Sequence, residues 1–338
     1  MSQNSADLPW KVRLFTSLIS FTFKVMIRRS DGSLNRLLLN FLDYKTSPSP
    51  DKPIDGVTTT DFTIDEDRNL WFRLYNPVFR TSTTDNEVNI PVIFYFHGSG
   101  FVCMAANSKL FDDLCYRLAR LLPAVIISVN YRLAPEHRYP CQYEDGFDVI
   151  KFIDISYLEV LPNHANLKHS FVAGDSAGGN LAHHMALKAS KYELSNIKLN
   201  GVIAIQPFFG GEERTGSEIK LSRDPIVPMD TTDWMWRSFL PEGSNRDHQV
   251  SNVFGPNSVD ISELEFPAVL VIIGGLDPLQ DWQKRYCEGL KKSGKEVYLV
   301  EYDNAFHSFY LFPCVPEFSL FIKEVKDFMQ KQMSRWRN

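Results

Sequence analysis

Short apolar runs alternate with stretches of helical periodicity along most of the chain, and this order limits the architectures that it can adopt. Strands are predicted at residues 70–75, 92–96, 124–130, 170–173, 201–206, 268–273 and 297–302. Helices are predicted at residues 109–122, 143–155, 178–189, 281–293 and 317–335. Several of the strands are continuous runs of Val, Ile and Phe, as is typical of strands buried on both faces of a parallel sheet. The alternation therefore predicts an α/β fold of three layers.

Two segments do not follow the alternation. The connection after Gln206 is too long for a simple link, and it contains Pro225, Pro228 and a tryptophan-rich stretch. An insertion that follows a parallel strand lies over the carboxyl ends of the sheet, where α/β proteins form their sites. We therefore interpret residues 207–262 as a cap insertion and residues 1–50 as an N-terminal lid arm. Residues 1–338 are then expected to form one domain.

The N-terminal arm contains an apolar run that needs its own interpretation. Leu14, Leu18, Phe21 and Val25 recur at helical spacing, which predicts an amphipathic helix that packs on the body of the protein. The alternative is a targeting segment that is removed, but Lys24 interrupts the run and no small-residue cleavage site follows it. The run is also too short to span a bilayer.

Charge and cysteine content argue against several classes of protein. The 36 Lys and Arg residues and the 41 Asp and Glu residues leave a net charge of −5, which disfavours a nucleic-acid or anionic-membrane surface. The five cysteines form no CxxC pair and the histidines form no HExxH pair, so we expect reduced thiols, a cytoplasmic protein and no metal site. Aromatic residues reach 13%, and either a Phe-rich core or a partly aromatic pocket explains them.

Residues 174–178 have the sequence GDSAG, which matches the G-x-S-x-G pattern of a nucleophile elbow. The pattern alone is weak, but here it follows a predicted strand and opens a predicted helix, which is the context that an elbow needs. The glycines permit a tight turn, and the Ala177 N–H at the start of the helix can stabilise an oxyanion. A phosphate-binding loop would carry a Lys after its second Gly, where this chain has Gly179. We therefore predict Ser176 as a catalytic nucleophile.

A serine attacks an ester at neutral pH only when a base takes its proton. In enzymes with this elbow the order along the chain is Ser, acid, His. His307 follows the last predicted strand in a loop that can reach Ser176, and Asp277 closes the predicted strand before it, so we predict these two residues as base and acid. Less suitable histidines are His183, His184 and His248, and less suitable acids are Asp281 and Asp303.

A glycine-containing loop follows the predicted strand 92–96. Its sequence HGSGF (residues 97–101) is similar to the HGGG motif of esterases, whose backbone N–H groups complete the oxyanion hole. The predicted donors are the N–H groups of Ser99 and Gly100, together with that of Ala177. Ser99 departs from the motif, and its hydroxyl is either a further donor, a steric limit on the acyl group or a neutral substitution.

The combination of HGSGF, YRLAPEH (131–137), GDSAGGN (174–180), DPL (277–279) and FH (306–307) resembles the plant carboxylesterases. These belong to the hormone-sensitive-lipase-like branch of the α/β-hydrolases, which is related to the gibberellin receptors. The resemblance covers about residues 36–335 and implies an eight-stranded α/β-hydrolase core, an N-terminal lid and a Ser/Asp/His triad. It carries the triad onto Ser176, Asp277 and His307. It implies a structural turn, with no catalytic role, for YRLAPEH.

The receptor branch has lost the catalytic histidine, whereas this chain keeps His307. The receptors also change the last glycine of the HGGG loop, whereas this chain changes the middle one. Other relatives catalyse dehydration, transesterification or alkaloid cyclisation, often with changes in the oxyanion loop or triad. Ser99 therefore keeps a repurposed reaction open as an alternative.

The hypothesis from sequence is a serine carboxylesterase that hydrolyses small or medium apolar esters, such as plant specialised metabolites. No metal or organic cofactor is expected, and the expected partner is a small-molecule ester, without nucleic acid or membrane, in a monomer or homodimer. The alternatives are a repurposed enzyme of specialised metabolism and a non-catalytic small-molecule receptor. Aromatic residues beside the motif loops or in the cap are predicted to bind substrate, namely Phe101, Phe208, Phe209, Trp234, Phe306 and Tyr310.

Overall fold

The computed structural model describes residues 33–79 and 89–335, together with Leu18 and Arg29. Within these residues, eight strands form one sheet in the order β1-β2-β4-β3-β5-β6-β7-β8. The strands are β1 Val57–Asp65, β2 Leu70–Pro77, β3 Ile90–Phe96, β4 Val125–Asn130, β5 Ala165–Asp175, β6 Leu199–Ile205, β7 Ala268–Gly274 and β8 Val297–Tyr302. β2 pairs antiparallel with β1 and β4, and the other neighbours pair in parallel. The predicted mainly parallel α/β sheet is confirmed.

Helices cover both faces of the sheet. They are α1 Arg36–Leu42, α2 Lys109–Leu121, α3 Cys141–Val160, α4 Ala177–Ala189, α5 Gly216–Lys220, α6 Met229–Phe239, α7 Gln280–Lys292 and α8 Pro316–Ser334. Alternate side chains of β3 enter opposite cores, because successive residues of a strand point to opposite faces. Phe94 packs in the core beneath α3, α4 and α7, whereas Ile93 and Tyr95 pack in the core beneath α2 and α8. The result is the predicted three-layer arrangement.

Strand β1 is the element that the apolar runs did not predict. Its sequence VTTTDFTID contains no continuous apolar stretch, because β1 lies at the edge of the sheet and buries only alternate side chains, such as Val57 and Thr59. β5 likewise starts at Ala165, before the predicted strand, because its first residues are polar and largely half-buried. The high content of β-branched residues is the signal that indicates β1.

Residues 207–262, here named the cap segment, follow β6 and contain α5 and α6. The segment starts beside the elbow, where the Phe208 N–H donates to the Ser176 carbonyl at 2.8 Å. The end of α6 is held by Arg138, whose guanidinium donates to the carbonyls of Arg237 and Leu240, each at 2.7 Å. These contacts attach the cap segment to the carboxyl ends of the strands.

Helix α1 is held against the turn that contains YRLAPEH. Arg36 donates to the carbonyls of Val102 and Ala134 and forms an ion pair with Glu136. The expected structural role of that turn agrees with these contacts. Of the predicted amphipathic helix in the N-terminal arm, only Leu18 is described, in helical conformation and 61% exposed, and the rest lies outside the described residues.

The described helices include none that is both long enough and apolar enough to cross a membrane. Among the same residues, no three His, Cys, Asp or Glu side chains are grouped so that they could hold a metal ion. The cysteines are free, and Cys103, Cys115 and Cys287 are buried.

A buried ion cluster joins the antiparallel edge of the sheet to α2. Arg73 on β2 is fully buried, and its guanidinium donates to both carboxylate oxygens of Asp61 at 2.6 and 2.7 Å and to Asp112 at 3.0 Å. It also donates to the Thr46 carbonyl at 3.1 Å, which lies just after α1. Arg73 therefore connects the N-terminal arm to the sheet.

Replacement of Arg73 by Met is expected to lower the free energy of unfolding by about 3 kcal/mol, because the buried Asp112 carboxylate loses its charged partner. The control is Arg120→Met, since Arg120 and Asp55 form an exposed ion pair at 3.2 Å whose loss should cost less than about 1 kcal/mol. Urea denaturation of both purified variants measures the two losses. Equal losses would contradict this assignment of the buried cluster.

Candidate active site

Ser176 lies in a sharp turn between β5 and α4. Its φ of 50° and ψ of −116° are unusual for a residue with a side chain. The turn is possible because the glycines on either side of Ser176 let the surrounding backbone approach very closely. A Cβ on Gly178 would lie 1.8 Å from the Phe96 carbonyl oxygen, and a Cβ on Gly174 would lie 2.2 Å from the Gly178 carbonyl oxygen. A side chain at either glycine of the predicted elbow would therefore clash with the backbone, so both glycines are required. The turn presents the Ser176 hydroxyl at the end of the sheet.

The structure brings Ser176, His307 and Asp277 together in one line. His307 Nε2 lies 3.1 Å from Ser176 Oγ, and His307 Nδ1 lies 2.8 Å from Asp277 Oδ2. The three side chains are buried. With a proton on Nδ1 donated to Asp277, Nε2 is free to accept the hydroxyl proton of Ser176.

The alternative residues weighed from the sequence lie elsewhere. His183 Nδ1 contacts the Tyr286 hydroxyl at 3.0 Å, and His248 Nδ1 accepts from the Val250 N–H at 3.3 Å. Asp281 accepts a hydrogen bond from the Ser217 N–H at 2.7 Å. His307 is therefore the histidine that contacts Ser176 among the residues described.

Two glutamines that the sequence analysis missed hold this line in place. Gln206, at the end of β6, donates to the Phe306 carbonyl at 3.2 Å and accepts from the Ser308 N–H at 2.8 Å, so that it contacts the residues on both sides of His307. Gln283 on α7 donates to Asp277 Oδ2 at 3.0 Å, and the Leu279 N–H donates to Asp277 Oδ1 at 2.9 Å. Gln206 lies about a hundred residues before its partners, and Gln283 reaches Asp277 from the next helix, so no motif in the sequence indicates either contact.

Opposing effects set the charge state of His307. Burial lowers the pKa of its imidazole, but the charge and hydrogen bond of Asp277, with the charges of Asp224 and Asp175, raise it, and the net pKa lies above the ordinary 6.5. Asp224 comes from the cap segment, where its carboxylate accepts from the N–H groups of Ile226 and Val227 at 2.8 and 2.9 Å. The cap segment thus supplies a carboxylate whose charge raises the pKa of His307.

The predicted oxyanion loop has a left-handed backbone. The φ angles of Ser99, Gly100 and Phe101 are 76°, 61° and 66°. A Cβ on Gly100 would lie 2.2 Å from the Met235 sulfur, so α6 packs directly on the loop. Within the described part of the chain, the N–H groups of Ser99 and Gly100 donate to no carbonyl or side chain. They are therefore free to bind an anionic oxygen.

A cavity of about 570 Å³ opens beside Ser176 and His307. Its walls come from α1 and the residues after it, from the oxyanion loop, from the cap segment and from the loop after His307. Side chains on these walls include Leu39, Leu42, Ile226, Val227, Met235 and Leu311. Mainly apolar walls around a few polar groups are typical of a small-molecule site.

Phe208 is the one predicted substrate-binding aromatic that lines this cavity. Phe101 instead stacks on Phe239 with ring centroids 3.9 Å apart, and Phe209 packs on Tyr286 at 4.4 Å. Trp234 and Phe306 are buried in the protein, and the Tyr310 hydroxyl donates to Asp175 at 2.8 Å. These five side chains lie in the core and do not line the cavity. The prediction was wrong for them because a position beside a motif in the sequence does not fix the direction of a side chain.

The aromatic rings that share the wall with Phe208 include Phe111 at the start of α2 and Phe312 after the His307 loop. Neither was predicted to bind substrate. Phe312 lies beyond the residues of the His307 motif, and Phe111 has the spacing of an ordinary core residue of an amphipathic helix, so nothing in the sequence indicates their place in the wall.

The chain is similar in sequence and in fold to several known proteins. The alpha/beta hydrolase fold family matches residues 93–311. The chain is 42% identical to a gibberellin receptor of Arabidopsis thaliana over 332 residues, which cover 95% of both proteins. It is 38% identical to carboxylesterase 20 of Arabidopsis thaliana over 287 residues, which cover 82% of this chain and 86% of that one. An esterase from Pyrobaculum calidifontis is similar in structure, with a TM-score of 0.70 and 28% identity over 97% of this chain and 94% of the esterase.

The reactivity of Ser176 with a fluorophosphonate is expected to fall as the pH drops through the pKa of His307, because only the neutral imidazole accepts the serine proton. Since that pKa is raised, the midpoint should lie above pH 6.5. Asp224→Asn should move the midpoint to lower pH, because it removes a charge that favours the imidazolium but keeps an oxygen for the Ile226 and Val227 N–H groups.

The matched control is Asp260→Asn, since Asp260 is an exposed carboxylate that accepts the Ser262 N–H in a similar turn at 2.9 Å. Labelling rates measured between pH 5 and pH 9 give the midpoints. A midpoint that stays in place or rises in Asp224→Asn would show that this charge does not act on His307.

Proposed function

The chain belongs to the α/β-hydrolase fold family, in the branch of the plant carboxylesterases and gibberellin receptors, and from that premise we propose that it is a serine carboxylesterase. The observation that carries the proposal is the continuous hydrogen-bonded line from Asp277 through His307 to Ser176. This arrangement activates a serine hydroxyl without a cofactor.

The reaction would begin with attack of Ser176 Oγ on the ester carbonyl carbon. His307 Nε2 takes the hydroxyl proton as the bond forms, and Asp277 stabilises the resulting imidazolium. The carbonyl oxygen becomes an oxyanion, and its proposed donors are the N–H groups of Ser99, Gly100 and Ala177. Collapse of this intermediate breaks the bond to the alcohol oxygen, and His307 returns the proton to the departing alcohol.

Release of the acyl group repeats these steps with water in place of Ser176. His307 takes a proton from the water, the hydroxide attacks the acyl carbon, and the oxyanion is held by the same N–H groups. When the second intermediate collapses, Ser176 regains its proton from His307 and the carboxylic acid leaves. One histidine therefore acts as base and acid in each half of the reaction.

The substrate is proposed to be a neutral ester with a largely apolar body, of a size that the cavity of about 570 Å³ admits. The charged side chains of the wall already have partners: Lys109 pairs with Asp113, and Asp43 contacts Lys45 and Ser108. The buried carboxylates Asp175 and Asp277 lie next to the reacting groups. Among the described residues, Lys109 is the lysine of the wall and is already paired, so a negative charge on the substrate would be repelled by these carboxylates.

Ser176→Ala is expected to lower the rate of p-nitrophenyl butyrate hydrolysis at least about 1,000-fold, because the nucleophile is lost. Ser190→Ala, at the other end of α4, is the control and should retain the wild-type rate. Release of p-nitrophenol measures both. A folded wild type without activity, or a Ser176→Ala variant with activity, would overturn the assignment.

Two esters that differ by one charge test the substrate class. For methyl 4-butyryloxybenzoate the value of kcat/KM is expected to exceed that for 4-butyryloxybenzoate by at least about tenfold, because the benzoate charge would enter a site bordered by buried carboxylates. Chromatography of the released phenols measures both rates. Equal or faster turnover of the charged ester would contradict a preference for neutral substrates.

A ligand-binding receptor is the second candidate, since the similar gibberellin receptor matches 95% of the chain at 42% identity. A receptor would retain a ligand without turnover and would leave Ser176 unlabelled by a fluorophosphonate. A repurposed enzyme would be labelled at Ser176 but would turn over generic esters poorly. The contact of His307 with Ser176 favours an enzyme.

A further inference from the structure

Asp175 is a buried carboxylate that takes no direct part in the bond-making and proton-transfer steps of the proposed reaction. It directly precedes Ser176, is only 2% exposed and accepts two phenol hydroxyls. The Tyr310 hydroxyl donates to Asp175 Oδ2 at 2.8 Å, and the Tyr95 hydroxyl donates to Asp175 Oδ1. Both tyrosines are fully buried. A buried carboxylate is costly unless its oxygens are bonded, so this cluster is a fixed part of the site.

The two tyrosines come from two different segments that border the active site. Tyr95 lies near the end of β3, two residues before the oxyanion loop, and Tyr310 lies in the 3₁₀ helix Phe309–Leu311 that follows His307. The oxyanion loop also touches the carboxylate itself, since a Cβ on Gly98 would lie 2.4 Å from Asp175 Oδ2. One carboxylate therefore contacts the segments that carry the nucleophile, the oxyanion donors and the histidine.

The protonation states of the cluster suit this arrangement. Burial and the Asp175 charge raise the pKa of both phenols well above the ordinary value, so each tyrosine is a hydrogen-bond donor at neutral pH. Burial raises the pKa of Asp175 to about 6, while the tyrosine hydroxyls and the charge of His307 oppose that rise. Above that pH the carboxylate can accept both hydroxyl groups at once.

We infer that Asp175 is a positioning residue, which holds the oxyanion loop and the His307 loop at fixed distances from Ser176 through Tyr95 and Tyr310. It transfers no proton and touches no reacting atom in the proposed reaction. The effect on rate rests on the proposed function, whereas the effect on loop order does not. Small displacements of aligned groups are costly for catalysis, so loss of one tether should lower kcat more than it raises KM.

Tyr310→Phe removes one tether and has a close structural control. Tyr75 is also a fully buried tyrosine whose hydroxyl donates to a buried carboxylate, Asp112, at 2.7 Å, and both lie outside the active site. The two variants should lose similar stability in urea denaturation. Only Tyr310→Phe should lower kcat for p-nitrophenyl butyrate, by about tenfold with KM within about twofold, and Asp175→Asn should lower it by about a hundredfold.

Hydrogen–deuterium exchange supplies a measurement that needs no turnover. Amides of residues 306–311 should exchange faster in Tyr310→Phe than in the wild type or in Tyr75→Phe. In Asp175→Asn, amides of residues 97–101 should exchange faster as well, because both tethers are weakened. If Tyr310→Phe matches Tyr75→Phe in both kcat and exchange, the inference is wrong. If the wild type hydrolyses no ester, the proposed function fails, and the exchange rates alone still support or overturn the tether.

Discussion

The contact between Gly178 and the Phe96 carbonyl is the constraint on which the rest of the site depends. It allows α4 to start against the end of β3. Ser176 is thereby forced into a backbone conformation with positive φ, at the carboxyl end of β5. Because β3 is the neighbour of β5, the oxyanion loop leaves the sheet beside the serine. The parallel order of β5, β6, β7 and β8 then brings the loops with Asp277 and His307 to the same carboxyl end of the sheet.

Local patterns made much of this predictable. A continuous apolar run before GDSAG indicates strand, turn and helix within a few residues, so Ser176 could be identified without any knowledge of distant contacts. Asp277 and His307 followed from the order of residues along an α/β chain. Strand β1 and the start of β5 escaped because their exposed faces break the apolar pattern that reveals a buried strand.

The residues that support the site could not be found in the same way. Gln206 and Gln283 act through contacts that only the fold creates, and Asp175 looked like an unspecified position within the elbow motif. For the aromatic residues the prediction erred in the opposite sense, since it named residues that do not line the cavity. Phe101, Phe209 and Tyr310 lie near motifs in the sequence, but their side chains point into the core. Most of the aromatic residues therefore pack in the core, and aliphatic side chains supply much of the cavity wall.

Formation of a covalent acyl intermediate on Ser176 can be tested by mass spectrometry of the enzyme quenched during turnover of p-nitrophenyl butyrate. We expect a butyryl group on the peptide that contains Ser176, formed together with a burst of p-nitrophenol and lost when substrate is exhausted. Turnover without any acyl group on that peptide, or an acyl group on a different residue, would contradict it.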